Sequence, residues 1–86
     1  MNEYKIYAII KISIEELNKE YAKKVVDLNY ETVFKSTDAA EIIRKLDELK
    51  ATDSEYSVEE YTENEDGDYV EGGDYDTPSN FRKRNA

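Results

Sequence analysis

Eighty-six residues allow one domain at most, and a chain of this size buries only about 60–65% of the surface its unfolded form exposes, so its core is thin. Charged residues make up 38% of the chain and the formal net charge is −9, which disfavours nucleic acid and anionic membranes and points to a partner with positive surface. With no His and no Cys, Ser-His-Asp and Cys-His catalysis, zinc sites built on those ligands and a disulfide framework are all excluded.

At the N-terminus the apolar run Tyr7-Ala8-Ile9-Ile10 is interrupted by Lys5 and Lys11 and no small-residue cleavage site follows. It reads as neither signal peptide nor membrane span, and the absence of cysteine suits a reducing, cytoplasmic setting. Tyr4, Ile6, Ala8, Ile10, Ile12 and Ile14 alternate with Lys5, Tyr7, Ile9, Lys11 and Ser13, the period of a strand with one face on the core. The even-numbered residues are expected on that core face, which leaves Tyr7 and Ile9, with Val33, exposed on the opposite one.

Ser13 and Glu16 have capping-box spacing, and Leu17, Tyr21, Val25 and Leu28 recur at helical intervals, which predicts a helix over about residues 14–25. Val26, Leu28, Tyr30, Thr32 and Phe34 also alternate, so the competing reading is a turn at 16–19 and a second strand from near Val25. Residues 30–35 are strand-like in composition on either reading. Asp38 followed by Glu41 opens the clearest amphipathic helix, over 39–50, with Ala39, Ile42, Ile43, Leu46 and Leu49 on one face. A strand over 55–62 follows, with Tyr56 and Val58 inward and Glu55, Ser57, Glu59 and Tyr61 outward.

Asp66-Gly67 is a turn signal of the kind that closes two-residue hairpins, so residues 68–71 are expected to fold back on the preceding strand. Gly72-Gly73 and 77–80 read as open chain. The expected organisation is a compact domain over 1–62, an acidic hairpin or sheet extension over 63–71 and a flexible C-terminal tail over 72–86. The fold class is α+β: a small antiparallel sheet of three to four strands with one or two helices packed on one face, in the order β-α-β-α-β or β-β-α-β. Core positions are expected for Tyr4, Tyr21, Tyr30 and Tyr56.

Charge divides the chain more sharply than hydropathy does. Residues 1–52 hold ten acids and nine bases, residues 53–76 hold eleven acids and no base, and residues 77–86 hold Arg82, Lys83 and Arg84 and no acid. The three glycines all lie in or beside the acidic run, so no phosphate-binding loop is formed. Pairs such as Glu59 with Glu60 or Asp66 with Asp68 supply acids for glycoside cleavage, but a working pair needs one carboxyl raised by burial and no pocket is indicated. Residues 64–68 look like part of a calcium loop, yet with Gly67 at its sixth position Thr62 and Gly73 occupy the first and twelfth, where acids are needed. A non-enzymatic protein without metal or cofactor is the expectation.

The acidic run carries Tyr56, Tyr61, Tyr69 and Tyr75, and Tyr suits interfaces because it joins apolar area to a hydroxyl. Acids two apart on a strand point the same way, so an ordered row of negative charge is expected. Partner contact is assigned to Glu55, Glu59, Glu60, Tyr61, Glu63, Glu65, Asp66, Asp68, Tyr69 and Glu71. Such a row suits a basic groove built for phosphates, with the counterion release that nucleic acid would gain there. Phe81-Arg82-Lys83-Arg84 either contacts an anionic surface or folds back on the acids.

In its size, its lack of His and Cys and its run from 53 to 76, the chain resembles the small acidic anti-defence proteins of phages, the anti-CRISPR and anti-restriction nucleic-acid mimics. That resemblance implies an inhibitor occupying the nucleic-acid-binding site of a nuclease, with no direct contact to nucleic acid or membrane. The alternative is a small regulatory or scaffold adaptor that binds through a sheet edge or helix face, alone or as a homodimer, with the acidic segment serving solubility.

Overall fold

The computed structural model describes residues 2–17 and 25–86, with side chains at 2–14 and 28–86. Strands β1 (Glu3–Leu17), β2 (Val25–Ser36), β3 (Tyr56–Asn64) and β4 (Tyr69–Asp76) form one antiparallel sheet in the order β2-β1-β3-β4. Helix α1 (Ala39–Glu48) joins β2 to β3, and α2 (Pro78–Arg84) follows β4. The fold is α+β, in the order β-β-α-β extended by a fourth strand and a second helix. No helix among the described residues is long and apolar enough to cross a membrane.

The helix expected over 14–25 is not formed at its ends: residues 14–17 belong to β1 and Val25 opens β2. The rest of that span, Tyr21 included, lies outside the described residues. Glu16 and Leu17 pair with Val26 and Val25, so the turn expected over 16–19 does not include them, and its remaining residues lie outside the described ones. Cross-strand pairs such as Ile12 with Tyr30 and Ile14 with Leu28 are the unit of sheet stabilisation, and they override a helical spacing carried by four residues. Because β3 pairs only with Glu3 to Lys11 of β1, the β1–β2 hairpin continues past the sheet as a two-stranded arm.

Helix α1 begins where the sequence predicts. The Asp38 carboxylate accepts from the Ala40 N–H (2.9 Å), the Ser36 hydroxyl accepts from the Asp38 N–H (3.0 Å), and that hydroxyl donates to Glu41 (3.1 Å). It ends in a Schellman motif: the Ala51 N–H reaches the Leu46 carbonyl and the Lys50 N–H that of Asp47, with Lys50 at φ 52°. Ile42 and Leu46 are fully buried against Ile9 and Val58 of the sheet.

Residues 72–86, expected as a flexible tail, instead complete β4 and form α2. Thr77 caps α2 through the Asn80 N–H (3.2 Å), Pro78 occupies its first turn, and Phe81 is fully buried in the same core as Ile9, Ile42 and Val58. Phe81 meets Tyr7 edge to face at 5.5 Å.

Both helices lie on the odd-numbered face of β1, so Tyr7 and Ile9, expected to be exposed, are on the helix-covered side, while Ile6, Ala8 and Ile10 of the other face are buried as expected. Tyr7 and Ile9 are under the helices, whereas Tyr4, Ile6, Ala8, Ile10, Ile12 and Ile14 line a face that no helix covers. In β2 the register slips where Val33 bulges, so Leu28, Tyr30 and Thr32 join the uncovered face while Phe34 packs under α1. Tyr4 and Tyr30, expected in the core, are therefore exposed; Tyr56 packs against the core as predicted.

Candidate acidic interface

Alternation along β3 and β4 divides the acids between two faces, where a single row was expected. Glu59, Tyr61 and Glu63 stand opposite Ala8, Ile6 and Tyr4 on the uncovered face, while Glu60 stands opposite Tyr7 on the helix side. Across the β3–β4 ladder, Tyr69 pairs with Glu63 and Tyr75 with Glu59; Glu71 pairs with Thr62 and Asp74 with Glu60. Directly opposed residues share a face, so Glu60, Glu71 and Asp74 form one set and Glu59 and Glu63 another.

On the uncovered face Glu63 is already engaged. Lys35 donates to Glu63 Oε1 (2.8 Å), and the Tyr61 hydroxyl donates to the same oxygen (3.0 Å). The hydrogen bond from Lys35 lowers the Glu63 carboxyl below its ordinary range, and the same bond, with help from Tyr61, pushes Lys35 up to about 12. Burial raises the Tyr61 hydroxyl, whose ring lies under Lys35 at 5.5 Å and stacks on Tyr69 at 6.0 Å. The Glu59 carboxylate opposite Tyr75 on the ladder holds that hydroxyl above its usual pKa. Of the two carboxylates on this face, Glu63 is neutralised by Lys35 and Glu59 has no cationic partner among the described residues.

On the helix side the balance differs. Lys5 approaches Glu60 at 3.5 Å, Arg84 lies 3.9 Å from it, and Arg84 Nε donates to Asp76 at 2.7 Å. Arg82 pairs with Asp47 of α1 (3.1 Å), so two of the three terminal bases fold back on carboxylates. Beyond these pairs, Lys5, Glu60, Thr62, Glu71, Gly72 and Asp74 line an open groove holding three acids and one lysine. Gly72 makes that groove possible: at φ 121° a Cβ would lie 2.7 Å from the Tyr61 Cα, so only glycine lets β4 run this close.

The groove runs toward the β3–β4 turn, which adds Glu65, Asp66 and Asp68. Asn64 accepts the Asp66 and Asp68 N–H groups on its side chain (both 3.0 Å) and the Gly67 N–H on its carbonyl (3.0 Å). Its own N–H reaches the Asp68 carbonyl (2.9 Å), which closes a three-residue loop with Gly67 at φ 81° in place of the expected two-residue turn. Asp66 and Asp68 are exposed, and Glu65 accepts from the Asn2 N–H (3.1 Å).

Of the predicted contact residues, Glu60 and Glu71 therefore share the groove, with Glu65, Asp66 and Asp68 at the turn. Glu59, Tyr61, Glu63 and Tyr69 face the other way. Glu55 sits before the start of β3, held by the Thr52 hydroxyl (3.2 Å), and joins neither set. Asp74 was missed because residues from 72 on were read as open chain; the Gly72-Gly73 pair is the signal for a bulged strand that would have found it. Among the described residues, no group of three or more carboxylates is arranged to hold a metal ion. No family model, curated protein or solved structure matches the chain.

Proposed function

We propose that this chain is a non-enzymatic acidic binding protein that occupies a basic, nucleic-acid-binding site on a partner protein such as a nuclease. The observation that carries the reading is the helix-side groove, where Glu60, Glu71 and Asp74 meet with Lys5 as the one lysine among the lining residues, continued by the exposed turn acids Asp66 and Asp68. Strand pairing holds these carboxylates in place, so a basic partner meets a preorganised surface and loses little to ordering it. Arginine or lysine side chains that normally neutralise phosphates enter the groove, and binding weakens steeply with salt as it does for nucleic acid.

The test is competition. Proteins retained by the immobilised chain are released by duplex DNA or RNA and by rising salt, and are not retained by a variant carrying Asp66→Lys, Asp68→Lys, Glu71→Lys and Asp74→Lys. Those four positions lie outside the core, so the variant keeps its circular dichroism spectrum. Retention that resists nucleic acid, or that survives the four substitutions, removes the basis for the reading.

A further inference from the structure

The sheet face turned away from both helices buries Ile6, Ala8 and Ile10 but leaves a set of apolar and aromatic side chains exposed around them, and we propose that it is the interface of a homodimer. Three observations lead there, and the third rests in part on the acidic groove of the proposed function.

The first is area. Tyr4, Tyr30, Tyr69 and Tyr75 are 45, 62, 61 and 65% exposed, and Ile14 and Leu28 are 68 and 47% exposed. At about 150–250 Å² for a fully accessible Tyr, these six side chains present roughly 600 Å² of largely apolar surface, the upper end of what a monomer carries and close to the ~800 Å² per partner of a stable interface.

The second is the arm. Past Lys11 the β1–β2 hairpin has no third strand, and a two-stranded hairpin is marginal unless something packs on it. Its apolar side, Ile12, Ile14, Leu28 and Tyr30, continues the uncovered face, so one occupant covers both.

The third observation identifies the occupant. Among the residues whose side chains are described, 2–14 and 28–86, this face carries three charged ones, Lys35, Glu59 and Glu63, and Lys35 already pairs with Glu63. The chain as a whole is at −9. A basic partner would be drawn to the groove on the other side, whereas a second copy needs a surface of low net charge, and here one carboxylate, Glu59, stands beyond the Lys35–Glu63 pair. Two sheets packed face to face about a two-fold axis meet this condition and form a second core of Ile and Tyr. The acidic grooves of both copies remain outward.

Sedimentation equilibrium on the full chain tests the proposal. The native protein sediments at about twice its 10.0 kDa chain mass at micromolar concentrations, and added salt does not dissociate it. Tyr30→Glu and Ile14→Glu, at positions exposed in the single chain, each weaken the dimer by about a hundredfold or more with an unchanged circular dichroism spectrum, because both copies carry the change. A measurement without substitution accompanies them: on dilution the methyl signals of Ile12 and Ile14 move while that of Ile42, under α1, does not. A native chain that is monomeric throughout, a dimer indifferent to both substitutions, or dilution shifts centred on Ile42 would each overturn the proposal. Reversal of Asp66, Asp68, Glu71 and Asp74 leaves the dimer intact, so loss of partner binding and loss of the dimer are read separately.

Discussion

Replacing Phe81 by Ala removes the largest fully buried side chain from a core of few residues. The ring fills the space between Ile9, Ile42, Leu46 and Val58 and meets Tyr7 edge to face, so its loss leaves a cavity that four elements must share. Phe→Ala changes in such settings cost about 3–5 kcal/mol, against a total of about 4–13 kcal/mol for a chain of this size. At roughly 4–8 °C per kcal/mol, the variant melts at least about 12 °C lower than the native chain or fails to fold at 25 °C. Arg82→Ala on the same helix is the control: the Arg82–Asp47 pair is on the surface and contributes less than about 1 kcal/mol. Thermal melts followed by circular dichroism read both. A Phe81→Ala melt within about 3 °C of native would refute the argument that α2 belongs to the core.

The Lys35–Glu63 contact gives stability a defined pH window. The folded-state pKa of Glu63 is lowered, so its contribution is present above the unfolded carboxyl value of about 4.3 and disappears as pH falls through the folded value. Lys35 is raised to about 12, so its contribution is present below about 10.4 and is lost as pH rises through 12. Glu63→Gln is therefore less stable than native between about pH 5 and 10 and converges with it at both extremes, and NMR titration finds Lys35 returned toward its ordinary value. At the end of α1, Lys50 adopts φ 52° where a Schellman motif prefers glycine. Lys50→Gly removes a left-handed strain of about 1–2 kcal/mol, partly offset by the freedom glycine gains when unfolded, and raises stability in urea titration by about 0.5–1 kcal/mol.

Local chemistry was legible in the sequence wherever a few neighbouring residues carry the signal. Asp38 and Glu41 mark the start of α1, Ile42 and Leu46 its buried face, and Tyr56 and Val58 the inward side of β3; each rests on a period or a cap a few residues long. The acidic run from 53 to 76 was equally plain, as was the absence of His and Cys. The site within that run was half legible. Glu60, Glu71 and the turn acids were named, but the two faces of the hairpin were merged, and Asp74 was hidden by glycines that read as open chain and in fact bulge a strand.

What the sequence by itself determined is therefore an α+β chain with a near-neutral body and a strongly acidic segment, because composition and short-range periodicity require no knowledge of what lies across the fold. Only the tertiary structure decided which side of β1 is the core. The even-numbered side of that strand carries four isoleucines and the odd-numbered side one, Ile9, yet alternation separates two faces without saying which one the helices cover. The choice follows from long-range packing: α1 crosses to Ile9 and Val58, and Phe81 returns from the far end of the chain to close the same layer. That arrangement buries Ile9 and leaves Tyr30, Tyr69 and Tyr75 outward, and it sends the acids at 60, 71 and 74 to one side and those at 59 and 63 to the other.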